Sequence, residues 1–324
     1  MNSRPRLLVT RRMPPNVTER LRRDYDATLN EDDVVLSGSQ LRARSADYDA
    51  LLVCASERLD ADAIAGLPDC IRMIATFSVG FEHIDVDAAA LRGIVVTNTP
   101  DVLTDATADV AMLCLLGAAR RAQEGQSMVR EGRWDGWHTT MLLGTHVSGK
   151  TLGIIGMGRI GRAVAQRARG FDMQIHYYNR SRLAPGLELG AVYHESPETL
   201  LPRTQFLSLN APSSPETASF LNAKRLAAMP DGAIVVNTAR GDLVDDDALI
   251  AALGSGKIAA AGLDVFRGEP RLDARYRDLD NVFLLPHLGS ATDETRDLMG
   301  FCCLDNLDAF FSDRTCPDAL APAR

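Results

Sequence analysis

The stretch TLGIIGMGRIG, residues 151–161, decides the fold. Its β-branched first half predicts a buried strand, and the residues that follow predict a helix of about three turns. Between them, Gly156, Gly158 and Gly161 have G-x-G-x-x-G spacing, which suits a tight turn, the approach of a pyrophosphate to the backbone and close packing of helix on strand. Free N–H groups at the helix start favour phosphate. This context predicts a dinucleotide-binding loop, and a glycine-rich turn without a ligand is the alternative.

The end of the next strand, 174–178, indicates which dinucleotide is bound. Asn179 stands 18 residues after Gly161 (179 − 161), where NAD-binding loops carry an acid that holds the ribose 2′-hydroxyl. An acid would repel a 2′-phosphate, whereas Arg180 and Arg182, which flank Ser181, can pair with one. We therefore expect NADP(H) in preference to NAD(H), and two solvated loop arginines are the alternative.

Short apolar runs alternate with helix-length segments along all 324 residues, which predicts an α/β protein with doubly wound parallel sheets. A strand breaks at Pro100 before a helix over 101–121, and a second break at 286–289 precedes a helix over 292–311. We therefore expect a discontinuous domain of residues 1–99 plus 289–324, and a domain of residues 100–288 that carries the glycine loop and is inserted into the first. The expected strands cover 6–10, 50–54, 73–76, 94–98, 151–156, 174–178, 206–209, 233–237, 262–265 and 282–285.

Composition excludes several classes of protein. The chain is 46% hydrophobic and 24% charged with a formal net charge of −8, so bulk electrostatics do not favour nucleic acid. No apolar run approaches the ~20 residues that span a bilayer, and no signal-peptide core is visible, so no membrane role and a cytoplasmic location are expected. Six scattered cysteines predict reduced thiols, and no metal site is expected. The apolar stretch 106–120 predicts a helix that lies under a domain or packs on another chain.

Three charged side chains follow predicted strands of the second half. Arg240 follows the strand 233–237, Glu269 follows 262–265 and His287 follows 282–285. The carboxyl ends of parallel strands share one edge with the glycine loop, so these residues are expected to converge there. Arg240 suits a carboxylate, His287 suits general acid–base work, and Glu269 suits the far ring nitrogen of the histidine. Taken singly, each residue is more often a structural or solvated one, but their convergence predicts an active site.

These motifs carry a family resemblance that spans nearly the whole chain. The glycine loop, NTARG (237–241), GLDVFRGEP (262–270) and PHLGSAT (286–292) resemble the D-isomer-specific 2-hydroxyacid dehydrogenases. The resemblance implies two Rossmann-like domains with a cleft between them, of which residues 1–99 plus 289–324 form the substrate domain and residues 100–288 the inserted dinucleotide-binding domain. It also implies a homodimer formed through residues 100–150, and catalytic Arg240, Glu269 and His287. It also implies that the loop 76–81 holds the substrate carboxylate on its backbone N–H groups.

Within that family, the chain is most similar to the glyoxylate and hydroxypyruvate reductases, on the basis of Asn179-Arg180-Ser181 and GRWDGW (132–137). This resemblance implies an oxidoreductase that reduces small 2-keto acids to D-2-hydroxy acids. The expected substrate contacts are Val79, Gly80, Cys54, Arg240 and Trp137. The expected coenzyme contacts are Gly156, Gly158, Arg159, Ile160, Gly161, Asn179, Arg180, Ser181, Arg182, Asn210, Ala211, Pro212, Thr217, Thr238, Ala239, Asp264, His287, Gly289 and Thr107.

Proteins with other activities share these motifs and this fold. Phosphite dehydrogenases would use similar Arg, Glu and His residues, whereas formate dehydrogenases replace the glutamate that Glu269 matches, and 3-phosphoglycerate dehydrogenases often carry a further regulatory domain. A non-catalytic, nucleotide-sensing protein of the corepressor type is the competitor from another class, because fold alone does not settle function.

Overall fold

The computed structural model describes residues 4–322, and the chain forms two compact units. Unit 1 comprises Met1–Leu103 and Ala291–Arg324, and unit 2 comprises Thr104–Ser290. Both divisions fall a few residues later than the sequence-based boundaries at 99/100 and 288/289. The assignment of substrate binding to one unit and coenzyme binding to the other stays a prediction.

Unit 1 is built on a sheet of five parallel strands in the order β2-β1-β3-β4-β5. Alternate residues of its strands enter opposite cores, so that Leu7 packs on one face of the sheet and Leu8 on the other. The strands are β1 (Arg6–Val9), β2 (Asp26–Leu29), β3 (Ala50–Val53), β4 (Met73–Thr76) and β5 (Val95–Thr97), and the helices are α1 (Pro15–Asp24), α2 (Gly38–Arg44), α3 (Ala61–Ala65), α4 (Val86–Leu91) and α12 (Asp293–Phe311).

Unit 2 is built on seven parallel strands in the order β12-β11-β10-β9-β6-β7-β8. The order reverses between β6 and β9, which is where an open parallel sheet binds its ligand. The strands are β6 (Thr151–Ile155), β7 (Gln174–Tyr178), β8 (Val192–His194), β9 (Phe206–Leu209), β10 (Ala233–Asn237), β11 (Ile258–Leu263) and β12 (Val282–Leu284). The helices are α5 (Thr104–Ala119), α6 (Ala122–Arg130), α7 (Arg159–Arg169), α8 (Pro185–Glu188), α9 (Pro197–Leu200), α10 (Ala223–Ala228) and α11 (Asp246–Gly254).

Helix α5 is shorter than the helix expected over 101–121. Asp101 and Arg121 both have positive φ angles, of 70° and 52°, and this left-handed backbone separates α5 from its neighbours in the chain. The apolar stretch lies under unit 2, where α5 packs against α7, β10 and β11 and buries Ala108, Ala111 and Cys114. Of the two positions expected for this stretch, the structure therefore shows burial beneath a domain.

The prediction of two parallel-sheet α/β domains is confirmed, and each of the ten expected strands has a counterpart, although β11 spans Ile258–Leu263 where a strand over 262–265 was expected. Two strands, β2 and β8, were not predicted, and each lies at the edge of its sheet. Both are short and carry polar residues, so their sequences lack the apolar run that marked the interior strands. Within residues 4–322, no helix has the length and apolar character that a membrane crossing needs.

Candidate active site

The glycine loop joins β6 to α7 at the point where the strand order of unit 2 reverses. Gly156 has a φ of 91°, and a Cβ there would lie 2.6 Å from the backbone nitrogen of Ala211, so only glycine fits. Gly161 packs directly on the carbonyl of Gly156, where a side chain would collide. Gly158, the N-cap of α7, has open space where a Cβ would stand. The loop therefore presents free N–H groups and an unobstructed path for a phosphate.

Two orphaned polar atoms face this region of the fold. Among the described residues, the buried Asn210 Oδ1 and Thr238 Oγ1 have no hydrogen-bond partner, and they follow β9 and β10, the next two strands along the sheet from β6. Buried polar atoms normally find partners, so a ligand with donors and acceptors is expected beside them. The open glycine and these two atoms together fit a bound dinucleotide.

The residues after β7 that are predicted to contact a 2′-phosphate differ in the contacts they make within the chain. Asn179 Oδ1 accepts a hydrogen bond from the Met157 N–H at 2.6 Å, so this side chain braces the glycine loop. Arg182 forms a two-point ion pair with the buried Glu188, at 2.9 and 3.1 Å, and this pair holds the pKa of Glu188 below its ordinary value. Arg180 is exposed, and it forms no hydrogen bond or ion pair with any of residues 4–322. The structure therefore leaves Arg180, rather than Arg182, available to an added phosphate.

Arg240 stands at the end of a turn that Asn237 folds. The Asn237 amide donates to the Arg240 carbonyl at 2.8 Å and accepts from the Ala239 N–H at 3.0 Å. The next residue, Gly241, packs against the backbone of Phe266, where any side chain would collide. This contact brings the turn that carries Arg240 against the loop that carries Glu269, and Arg240 is one of the charges that lower the pKa of that carboxyl.

Glu269 and His287 form a direct pair. The His287 Nδ1 lies 2.7 Å from Glu269 Oε2, while Glu269 Oε1 accepts from the Phe266 N–H at 2.7 Å. A carboxylate only accepts, so Nδ1 carries the hydrogen and Nε2 is left for another partner. Burial acts to raise the pKa of Glu269, but the hydrogen bond and charge of His287 outweigh it, and the pKa falls below its ordinary value. The pair is suited to moving a proton at Nε2.

Asp264 holds the backbone that carries His287. Its carbonyl accepts from the His287 N–H at 2.8 Å, and its carboxylate accepts from the N–H groups of Leu288 at 2.6 Å and Gly289 at 2.9 Å. His287 has a φ of 57°, an uncommon conformation for a non-glycine residue, and these three bonds fix it. Thr107 completes the anchor by donating to the Gly289 carbonyl at 3.0 Å. In this structure Asp264, predicted as a coenzyme contact, positions the histidine.

The predicted carboxylate loop of unit 1 follows β4. Asn98 donates to the Val79 carbonyl at 2.8 Å, and the Ser78 hydroxyl donates to the Gly80 carbonyl at 2.7 Å. The N–H groups of Val79 and Gly80 have no acceptor within the described part of the chain. The loop is thus held by its carbonyls while its amides stay available, which is the arrangement that an anion-binding nest requires.

Cys54 follows β3, the strand next to β4. Its N–H donates at 2.9 Å to Glu57, a carboxyl that is only 1% exposed and also accepts from the Thr10 hydroxyl at 2.9 Å. Burial raises the pKa of Glu57 and raises that of the Cys54 thiol to about 12. Glu57 thus anchors the loop after β3.

The remaining predicted residues divide between loop structure and exposed surface. Thr217 closes the loop after β9 by donating to the Pro212 carbonyl at 2.8 Å, and Trp137 is 76% exposed in a segment without regular structure. Arg159 and Ile160 begin α7, Ala211 meets the glycine loop, Ala239 lies in the Arg240 turn and Ser181 is exposed. Across the described residues, no three His, Cys, Asp or Glu side chains are placed to hold a metal ion.

Sequence reasoning missed two positioning residues, Asn237 and Glu57. A signal for Asn237 was present, because a polar residue closing an apolar strand inside NTARG predicts a turn brace. Glu57 gave no such signal, since an acid in a loop is usually solvated.

Comparisons of sequence and of structure with known proteins match this chain to one group of related enzymes. A sequence model described as "D-isomer specific 2-hydroxyacid dehydrogenase, NAD binding domain" matches residues 112–289. A glycerate dehydrogenase of Hyphomicrobium methylovorum is 45% identical over 98% of this chain and 100% of its own length. A glyoxylate reductase of Thermococcus litoralis is 43% identical over 95% of this chain and 94% of its own. The structure of an NADPH-dependent glyoxylate/hydroxypyruvate reductase from Sinorhizobium meliloti, in complex with NADP and malonate, superposes with a TM-score of 0.89 at 35% identity, covering 99% of each chain.

Proposed function

This chain belongs to the D-isomer-specific 2-hydroxyacid dehydrogenase family, and we propose that it is an NADP(H)-dependent reductase of small 2-keto acids such as glyoxylate and hydroxypyruvate. The observation that carries the proposal is the pair between Glu269 and His287, which leaves Nε2 without a hydrogen-bond partner among residues 4–322. The names of the relatives above support the substrate class.

The residues have separate roles in this reaction. Arg240 binds the carboxylate of the keto acid, and the amides of Val79 and Gly80 are the anion-binding groups that unit 1 offers. His287 donates the proton on Nε2 to the carbonyl oxygen, and Glu269 stabilises the imidazolium that this donation requires. The reduced nicotinamide supplies the hydride when it is bound. In the reverse direction, the neutral His287 accepts the proton from the 2-hydroxyl group.

The first test is the loss of NADPH absorbance with glyoxylate and with hydroxypyruvate, in the wild-type protein and in His287→Asn. We expect turnover in the wild type and a fall of about 10²- to 10⁴-fold in the variant, because it lacks the proton donor. Fluorescence titration should show that the variant still binds NADPH. Near-normal turnover by the variant would remove His287 from the mechanism, and wild-type NADPH binding without turnover of keto acids or phosphite would favour the sensor.

The lowered pKa of Glu269 generates a prediction on pH dependence. The carboxylate remains ionised through the neutral range and favours the charged imidazole beside it. Glu269→Gln keeps the shape but removes the charge, so keto-acid reduction should begin to fall at a lower pH than in the wild type. Oxidation of the 2-hydroxy acid, which needs the neutral imidazole, should persist to lower pH. Two pH–rate profiles check that both limbs move to lower pH, and unchanged profiles would show that Glu269 does not tune His287.

The NADP preference rests on Arg180, which is exposed beside the glycine loop while Arg182 is held by Glu188. We expect Arg180→Met to raise the KM for NADPH about 10-fold or more, because a charge-assisted hydrogen bond to the 2′-phosphate is lost. The KM for NADH should remain unchanged. Arg182→Met is the matched control, and it should affect both coenzymes equally through the loss of its structural ion pair. An equal effect of Arg180→Met on both coenzymes would contradict the assignment.

We also propose a homodimer formed through residues 100–150. Val129, Trp134, Trp137 and Leu143 are large apolar side chains that are each more than half exposed in this region. Large exposed apolar side chains within one short stretch of sequence support an interface there, because contiguous apolar surface is typical of protein interfaces.

The mass of the protein in solution tests the dimer. Sedimentation equilibrium should give twice the mass of one chain, and Leu143→Asp should weaken the association because it places a charge in the interface. Leu91→Asp is the control, since Leu91 is 90% exposed on unit 1. A monomeric wild-type protein would overturn the proposal.

A further inference from the structure

Two residues after β5 hold the predicted carboxylate loop of unit 1. The Thr99 N–H donates to the Ser78 carbonyl at 3.0 Å, and the Asn98 side-chain amide donates to the Val79 carbonyl at 2.8 Å. Each carbonyl shares a rigid peptide plane with the N–H of the next residue. Fixing these two carbonyls therefore fixes the directions of the Val79 and Gly80 N–H groups, which are the groups that the loop offers to an anion.

A segment that follows α12, residues 316–320, holds Asn98 in turn. It lies antiparallel along β5, the edge strand of the unit 1 sheet, and the Leu320 N–H donates to the Val96 carbonyl at 2.8 Å. The Asn98 N–H donates to the Asp318 carbonyl at 3.4 Å. Asn98 thus bonds to the 316–320 segment through its backbone and to the carboxylate loop through its side chain.

Asp318 is fastened to α12 by the side chain of Asn306, which is fully buried. The Asn306 amide donates to Asp318 Oδ2 at 2.8 Å, and its Oδ1 accepts from the Asp318 N–H at 3.1 Å. The Cys302 Sγ lies 3.3 Å from the same Asp318 oxygen. Burial and this carboxylate raise the pKa of the Cys302 thiol to about 12, so the thiol keeps its hydrogen and donates it. Asp318 is therefore held at three points by one helix.

Hydrogen bonds thus connect α12 to the carboxylate loop without a gap, through Asp318 and Asn98. We propose that Asp318 is a positioning residue for the substrate carboxylate: it holds Asn98, and through Asn98 it sets the direction of the anion-binding N–H groups of the loop. The proposal rests on the function proposed above, in which the substrate is a 2-keto acid. Because every 2-keto acid carries the carboxylate, Asp318 affects glyoxylate and hydroxypyruvate alike.

The kinetic test compares Asp318→Ala with the wild type. We expect the KM for glyoxylate and the KM for hydroxypyruvate to rise by about 3- to 30-fold, the range for a residue that acts on a site through intervening contacts. Both kcat and the KM for NADPH should stay within about two-fold of the wild type, because the loop binds the carboxylate and not the coenzyme. Asp318→Asn keeps an oxygen that can accept from Asn306, so it should restore most of the lost affinity.

Asp305→Ala is the matched control on the same helix. Asp305 precedes Asn306 in the sequence, and its carboxylate pairs with Arg20 of α1 at 2.7 Å. The variant loses a contact between two helices of unit 1 while the bonds to Asp318 remain, so every KM should equal that of the wild type. If the KM for NADPH rose in Asp318→Ala as much as the KM for the keto acids, the cause would be a general loss of structure, and the positioning role would be overturned.

Hydrogen exchange gives a readout that does not need turnover. The Asn98 and Thr99 N–H groups are both hydrogen-bonded, and their exchange can be followed by mass spectrometry on the peptide that contains them. We expect this peptide to exchange faster in Asp318→Ala and at the wild-type rate in Asp305→Ala. Faster exchange confined to residues 316–320, or an unchanged KM for the keto acids, would overturn the assignment. Absence of turnover in the wild type, with faster exchange at Asn98 and Thr99 in Asp318→Ala, would count against the reductase and not against Asp318.

Discussion

The Asp264 carboxylate is the constraint on which the candidate site depends. It is fully buried at the end of β11, and its two oxygens hold the backbone of Leu288 and Gly289. Because the same residue's carbonyl holds the His287 N–H, the histidine is kept in a left-handed conformation that its side chain does not favour by itself. That conformation brings the ring to Glu269. Without these hydrogen bonds, the loop after β12 would lack the contacts that hold His287 beside Glu269.

In unit 1, a buried carboxylate also holds the backbone of a loop. Glu57 is almost fully buried, and it holds the backbone of Cys54 after β3 as Asp264 holds the backbone after β12. Burial raises the pKa of both carboxyls, because removing a charged carboxylate from water costs free energy. Backbone N–H donors offset part of that cost, and each loop is shaped so that its donors reach the carboxylate. In each unit, therefore, a buried acid fixes the shape of a loop that is predicted to bind substrate or catalyse the reaction.

The sequence predicted the interior of both sheets because interior strands are apolar on both faces, and it predicted the glycine loop because three backbone constraints each require glycine. It did not predict the contacts that a tertiary partner decides. Its place in the sequence predicts that Arg182 binds a phosphate, but the fold brings the buried Glu188 close enough to form an ion pair with it. Its place after a strand predicts that Asp264 contacts the coenzyme. The backbone groups that it holds come into reach only because β12 pairs with β11. The edge strands β2 and β8 are set by their neighbours and not by their own composition.

Two carboxyls beside one histidine have opposite environments. Asp264 bonds to neutral backbone groups, so burial dominates and its pKa rises. Glu269 bonds to the His287 ring itself, so the charge of that ring dominates and its pKa falls. The first acid is therefore suited to fixing the position of the histidine, and the second to fixing its proton affinity. Position and proton affinity are thus held by different residues on different loops, and the second depends on the first, because the Asp264 anchor places the ring beside Glu269.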